Sequence, residues 1–294
     1  MIVNLIRIAG ITIILQIGYI LAGMMITIPS EAAAESDPSL FHFLLHCLLL
    51  AIGLSVVIRN SEWYGLKLIV TLVFSFFGFL TFMSLIEASF FMTNIPQEFI
   101  PQLWLMGTVV VLFSVPLAVL IHGKATSKES ETGVRPDRTF SVGEWIWKTG
   151  LIAVIYLIIY FTFGYYIAWQ SAELREFYGS TEFLGFFPHM KTVLLETTLA
   201  PFQVLRAVLW MIFALPLVWM LKGNVFRVAI ITGFAISVLH SSQLLLPNPF
   251  MPETIRHIHL LETSTSMFLF GLFLGVILYR SHDSFKDFFD FEVF

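Results

Sequence analysis

Apolar residues occur along the chain in eight long runs separated by short polar stretches. A membrane-spanning helix needs about 20 mostly apolar residues, and each run is long enough to provide them. Tryptophans at or near the ends of several runs are typical of aromatic belts at membrane interfaces. The pattern predicts an all-α polytopic transmembrane helix bundle of about eight spans, with residues 1–294 forming a single integral membrane domain. The predicted spans cover residues 5–28, 40–58, 66–92, 103–121, 146–168, 202–221, 227–246 and 257–279.

The composition supports a bundle embedded in lipid. Hydrophobic residues make up 57% of the chain and charged residues 12%, against about 45–50% and about 25% in typical soluble domains. The net charge is −4 and the basic residues are scattered, so there is no basic stripe and nucleic acid is not an expected partner. A single cysteine, Cys47, excludes an intramolecular disulfide and a thiolate-held cluster.

The distribution of lysine and arginine predicts the orientation. These residues follow the second, fourth and sixth spans and occur in the C-terminal tail, whereas the connections after the first and third spans contain none. Because basic loops stay in the cytoplasm, both termini are expected there, in a cytoplasmic (inner) membrane of bacterial type. The basic residues concerned are Arg59, Lys67, Lys124, Lys128, Arg135, Arg138, Lys222, Arg227, Arg280 and Lys286.

The first run also has features of a signal peptide, because Arg7 precedes it and small residues at 32–34 follow it. Its apolar stretch of about 20 residues exceeds the 7–15 of a signal peptide. An uncleaved membrane anchor is therefore favoured, and cleavage would leave seven spans.

The last span begins with unusually polar residues, in the stretch PNPFMPETIRHIHLLETSTS at 247–266. His259, Glu262, Thr263 and Ser266 follow the spacing i, i+3, i+4, i+7, which places them on one helical face. An ionisable residue within a span costs about 2.5–3.5 kcal/mol on insertion scales, so it indicates a functional position.

Other spans carry polar residues at a similar depth on the outer side. These residues predict an outward-facing pocket that binds or transports a small polar solute or ion. Buried carboxyl and imidazole groups exchange protons near neutral pH, which is compatible with proton coupling. The expected charged centre is Glu87, Arg206 and Glu262, with His240 and His259 as titratable partners. The full predicted set is Glu87, Arg206, His240, Gln243, His259, Glu262 and Thr263.

Three other interpretations remain open at this stage. Glu87 and Arg206 could form a structural ion pair between helices. The chain could also be a membrane-embedded metal- or haem-binding protein or enzyme. Imidazole and carboxylate ligands suit zinc, iron or manganese, and His46 with His240 would be the haem pair. The chain could instead be an accessory subunit, binding a membrane-protein partner or a second copy through its aromatic stretch 169–200 and its Phe-rich tail. The candidate metal ligands are His42, His46, His257, His259 and Glu262.

Overall fold

A computed structural model describes residues 2–26, 39–92, 95–126 and 138–289. Within these ranges the chain is helical and contains no β-strand. Eight helices are long and apolar enough to cross a membrane, so this is a multi-pass integral membrane protein. The spanning helices are α1 (Ile2–Gly23), α2 (Leu40–Asn60), α3 (Gly65–Phe91), α4 (Ile100–Ile121), α5 (Val142–Tyr166), α8 (Leu199–Met220), α9 (Val225–Ser241) and α10 (Glu253–Leu278).

Three short helices complete the fold. Helices α6 (Ala172–Phe177) and α7 (Phe186–Leu195) lie between α5 and α8, and α11 (Phe285–Phe288) follows α10. A 3-10 turn at Ala168–Gln170 extends α5, and another at Ser242–Leu245 extends α9.

The eight predicted spans are confirmed, with shifts at their ends. Most helices begin one to four residues earlier than predicted, because polar residues such as Glu253 and Glu144 form their first turns. The first helix ends at Gly23 rather than at 28, and the end of that prediction lies outside the described residues. The small residues at 32–34, Lys128 and Arg135 also lie outside them.

Helices α9 and α10 share the most extensive interface of the bundle, and small residues make it close. A Cβ atom added to Gly271 would lie 2.6 Å from the Cα of Gly233, and one added to Gly275 would lie 2.4 Å from the Cα of Ala229. Small residues allow helix backbones to approach in this way, and close van der Waals packing drives helix association in lipid.

Helix α3 contains a π-helical turn at Gly78–Phe82. A Cβ atom at Gly78 would lie 2.2 Å from the ring of Phe213 in α8, so the turn packs where two helices are closest. A π turn inserts an extra residue into the helical repeat, and such turns occur often at functional sites. The extra residue rotates the next helical turn, which carries Ser84 and Glu87, relative to the part of α3 before it.

One end of the bundle, here called the basic end, carries most of the lysines and arginines. There, Ser61 pairs with Leu221 in an isolated bridge, and the ammonium of Lys124 donates to the carbonyl of Ser61 at 2.5 Å. These bonds join the α2–α3, α4 and α8–α9 connections. The described basic residues of this end are Arg7, Arg59, Lys67, Lys124, Arg138, Lys148, Lys222, Arg227, Arg280 and Lys286.

The C-terminal tail docks at the basic end. The Lys148 ammonium lies 2.7 Å from the Glu144 carboxylate and donates to the Arg280 carbonyl at 2.7 Å. The backbone N–H of His282 donates to the same Glu144 carboxylate at 2.8 Å. Aromatic residues of the tail then contact Trp147. The buried ion pair therefore holds the tail on the first turns of α5.

At the opposite end, the cap segment (residues 168–196, with α6 and α7) folds back on the bundle. Leu174 of this segment packs with Met251 and Ile255 at the start of α10, and the hydroxyl of Tyr165 donates to the carbonyl of Leu184 at 2.8 Å. The cap segment therefore packs against α5 and the start of α10.

Candidate functional site

A cavity of about 820 Å³ lies at the end of the bundle that carries the cap segment. Its walls come from α3, α4, α5, α8, α9 and α10, and the cap segment and the turn at 247–251 also line it. Ligand pockets typically measure about 300–1,000 Å³, so this cavity has the size of a small-molecule site. The seven residues of the predicted pocket all line it: Glu87, Arg206, His240, Gln243, His259, Glu262 and Thr263.

The first polar group of the cavity is an ion pair between α3 and α8. The Arg206 guanidinium nitrogen Nη2 lies 2.5 Å from Glu87 Oε2. The Arg206 Nη1 donates to the side-chain oxygen of Gln203, one turn earlier, at 3.0 Å. Arg206 is 2% exposed and Glu87 is 29% exposed, so the carboxylate faces the open space and the guanidinium lies behind it. The structural ion pair considered from the sequence is present, and it forms part of the cavity wall.

His240 extends this group onto α9. Its Nε2 lies 3.7 Å from Glu87 Oε2, and its Nδ1 lies 3.2 Å from the hydroxyl of Ser84. The side-chain amide of Gln243 donates to the same hydroxyl and, at 3.0 Å, to the carbonyl of His240. Trp210 packs edge-on against the imidazole at 5.0 Å. An ion pair and side-chain hydrogen bonds therefore connect α3 with both α8 and α9.

The second polar group lies on α10 and reaches the cap segment. The Tyr178 hydroxyl lies 3.0 Å from His259 Nε2, and His259 Nδ1 lies 3.4 Å from Glu262 Oε2. The Thr263 hydroxyl donates to the His259 carbonyl at 2.6 Å. Burial raises the pKa of the Tyr178 phenol above its ordinary value, so the hydroxyl keeps its proton and can donate or accept. A carboxylate can only accept, so a neutral His259 that bonds to a Glu262 carboxylate carries its proton on Nδ1, and the Tyr178 hydroxyl then donates to Nε2.

Two tyrosines of α5 lie between these groups. The guanidinium carbon of Arg206 lies 5.8 Å from the ring centroid of Tyr156 and 6.0 Å from that of Tyr160. Both tyrosines line the cavity together with Glu87 and Glu262. The two carboxylates, from α3 and α10, therefore act on the same space.

Sequence reasoning missed several members of the site. Gln203, Tyr156 and Tyr160 were not singled out, and Tyr178 was assigned only to an aromatic stretch. Gln203 is one turn from Arg206, so the i, i+3 spacing was a usable signal. The tyrosines had no such signal, because aromatic residues are common on every face of α5.

The structure does not assemble the proposed metal ligands in one place. His42 bonds to Ser39 at 2.7 Å, and His46 Nε2 lies 2.8 Å from the Tyr19 hydroxyl. His257 is half exposed and lies 3.9 Å from Glu253. Only His259 and Glu262 of the proposed set lie together in the cavity wall.

In the part of the chain that the structure describes, no three His, Cys, Asp or Glu side chains are grouped so that they could hold a metal ion. Of the proposed haem pair, His240 lines the cavity, and His46 contacts Tyr19, a residue of the cavity wall, without being among the described lining residues itself.

Comparison of the chain with known protein families, curated proteins and solved structures finds no match. The chemistry of the site therefore has to be interpreted from its geometry. The cavity offers a buried guanidinium paired with a carboxylate, a second carboxylate beside an imidazole, and several aromatic faces. That combination suits recognition of a small molecule with a polar or charged group and an apolar body.

Proposed function

We propose that this multi-pass membrane protein binds a small polar solute or ion in the cavity and moves it into or across the bilayer. The observation that carries the proposal is the convergence of seven polar side chains from α3, α8, α9 and α10 on one cavity of ligand size. Polar and ionisable groups inside spans are rare, and they commonly mark solute pathways.

The expected orientation follows from the charges of the two ends. The basic end would face the cytoplasm together with both termini, because lysine and arginine are retained on that side. The cavity and the cap segment would then face the opposite side. The membrane would be the cytoplasmic (inner) membrane.

Within the cavity we assign the solute-facing positions to the two hydrogen-bonded groups. Glu87, held by Arg206, and Glu262, held by His259, would bind the polar part of the solute. His240 and His259 each lie beside a carboxylate, and this arrangement suits transfer of a proton as the solute binds or leaves.

Labelling of cysteine variants in reconstituted vesicles tests the proposal. Thr263→Cys places a thiol in the cavity wall, and Thr232→Cys places one at a fully buried position of α9. Because the native Cys47 is buried, it should give little background. A membrane-impermeant maleimide applied from the cap side should label Thr263→Cys and leave Thr232→Cys unlabelled. Equal protection of the two cysteines would mean that the cavity is closed to water, and the proposal would fail.

Thermal shifts then separate binding from a scaffold role. A ligand at 100 times its dissociation constant stabilises the folded state by about 2.7 kcal/mol. A panel of amines, carboxylates, sugars and inorganic ions should contain at least one class that raises the unfolding temperature and slows labelling of Thr263→Cys. If no class does either, the accessory-subunit interpretation replaces solute binding.

A further inference from the structure

Among the side chains that line the cavity, acidic residues outnumber lysine and arginine, and this limits the class of solute. Arg206 is the one lysine or arginine among the described lining residues, and its charge is already matched by Glu87 at 2.5 Å. Glu262 and Glu196 also line the cavity. Counted with neutral histidines, one positive and three negative side chains line this space. These carboxylates would repel a negatively charged solute, and the described wall has no further lysine or arginine to offset the repulsion.

Of the two acidic residues that are not paired with Arg206, Glu262 is the one that lies within a spanning helix, α10. Its side chain is 10% exposed and its partner is the His259 imidazole at 3.4 Å, which is a long contact. No lysine or arginine of the described chain forms an ion pair with this carboxylate. A cationic group placed beside Glu262 would supply the missing partner, and the attraction is stronger beside a largely buried carboxylate than in bulk water.

Aromatic rings form much of the remaining wall. The negative face of an aromatic ring attracts a cation within about 6 Å of its centroid, and cages of such rings bind quaternary ammonium groups. Arg206 already lies over Tyr156 and Tyr160 at this distance, so rings of this cavity do accept a cation. Rings of the wall come from Tyr156, Tyr160, Trp169, Tyr178, Phe90 and Phe250.

We propose that the cavity selects a lipophilic organic cation, whose charged group lies beside Glu262 and whose apolar body packs on the aromatic rings. The proposal rests on the proposed solute-binding function and specifies the class of solute. A bare metal ion fits less well, because a hard cation needs several oxygen ligands and the group around Glu262 offers one carboxylate and one imidazole.

Three rigid aromatic probes of related shape test the charge preference. Tetraphenylphosphonium is a permanent cation, tetraphenylborate is an anion of the same shape, and triphenylphosphine oxide is a smaller neutral molecule. Binding to the purified protein is measured by protection of Thr263→Cys and by thermal shift, with free probe concentrations corrected for uptake by protein-free micelles. The cation should bind at least ten times more tightly than the other two probes.

A matched pair of variants locates the charge. Glu262→Gln should reduce cation binding to the level of the neutral probe. Glu253→Gln makes the same change on the exposed first turn of the same helix, and it should leave the cation preference unchanged. Because the comparison of three probes uses native Glu262, it remains decisive even if Glu262→Gln folds poorly.

The possible failures are distinct. If the neutral probe or the anion binds as tightly as the cation, the organic-cation assignment is wrong and solute binding stands. If Thr263→Cys reacts with maleimide but no probe protects it while other solutes do, the assignment is again wrong. If Thr263→Cys is unreactive and no solute or probe shifts the unfolding temperature, the proposed function itself fails.

Discussion

The carboxylate of Glu87 and the guanidinium of Arg206 form an ion pair across α3 and α8, at 2.5 Å, in the wall of the large cavity. The pair is asymmetric, since the guanidinium is almost fully enclosed and the carboxylate is partly open to the cavity. Removing one partner should therefore have a different effect from removing the other.

Glu87→Gln should destabilise the protein more than Arg206→Gln does. The first change leaves a buried cation without its counter-ion, and removal of one partner of a buried pair costs about 3–5 kcal/mol. Because the Glu87 side chain is partly exposed, we expect the loss of unfolding free energy to lie within or below that range. The double variant should lose less than Glu87→Gln alone, because no charge is left unpaired. The unfolding midpoints of all three variants are measured in detergent. If the loss in the double variant equals the sum of the two single losses, the pair makes no net contribution to stability.

Tyr178→Phe should loosen the cap segment. The phenol bonds to His259 at 3.0 Å, and a typical hydrogen bond contributes about 0.5–1.5 kcal/mol net. Trypsin should then cleave at Lys191 in α7 several times faster. Tyr166→Phe is the control, since its side chain is 58% exposed. Equal cleavage rates in the two variants would show that the bond to His259 does not hold the segment.

Gly271→Ala should destabilise the α9–α10 interface by about 1–3 kcal/mol, the range for overpacking. The new Cβ would lie 2.6 Å from Gly233 Cα, so the two backbones would have to separate. Gly150→Ala in α5 makes the same change where no atom lies within 4 Å. That variant should be neutral or stabilised by up to about 1 kcal/mol, since alanine favours helix over glycine. Similar unfolding midpoints for both variants would contradict the packing argument.

His282 should make the docking of the C-terminal tail sensitive to acid. Burial, and then the charges of Lys148 and Arg280, lower the pKa of His282 to about 4, although Glu144 and Asp287 oppose this. The unfolded chain, with an ordinary pKa near 6.5, therefore binds a proton more readily. The stability from His282 is complete above about pH 6.5 and is lost as pH falls toward 4, by at most about 1.4 kcal/mol per pH unit.

The variant His282→Phe isolates this contribution, because phenylalanine keeps a ring beside Trp147 and Phe288 and does not titrate. Unfolding midpoints measured from pH 7.5 to 4.5 should fall less in the variant than in the unchanged protein. Parallel curves would assign the acid sensitivity to other groups.

The spans could be predicted from the sequence because burial in lipid requires long apolar runs, which are a local property. The face of α10 with His259, Glu262 and Thr263 was also predictable, since helical spacing alone places these residues together. Depth along a helix follows from the rise per residue, and it was enough to group Glu87 with Arg206 and His240. The predicted end of the first helix was too late because apolar character continues past the point where the helix stops at Gly23.

Other parts of the site depend on how the helices pack. The pairing of Glu87 with Arg206 needs α3 and α8 side by side, and the bond from Tyr178 to His259 needs the cap segment folded over α10. The π turn at Gly78–Phe82, which changes the direction in which Glu87 faces, has no clear local signal. That His42, His46 and His257 are not among the described lining residues of the cavity also depends on how the helices pack.

The sequence by itself therefore determined that this is a helical membrane protein, approximately where each helix runs, and which polar residues lie at a common depth. These properties depend on hydrophobicity and helical periodicity, which act over a few turns of one helix. Only the tertiary structure decided which helices are neighbours, which of their faces meet, and that the polar residues line one cavity. Contacts between different helices, such as that between Glu87 and Arg206, 119 positions apart, decide those features. Van der Waals packing and the pairing of buried charges select among helix arrangements that hydrophobicity alone leaves equivalent.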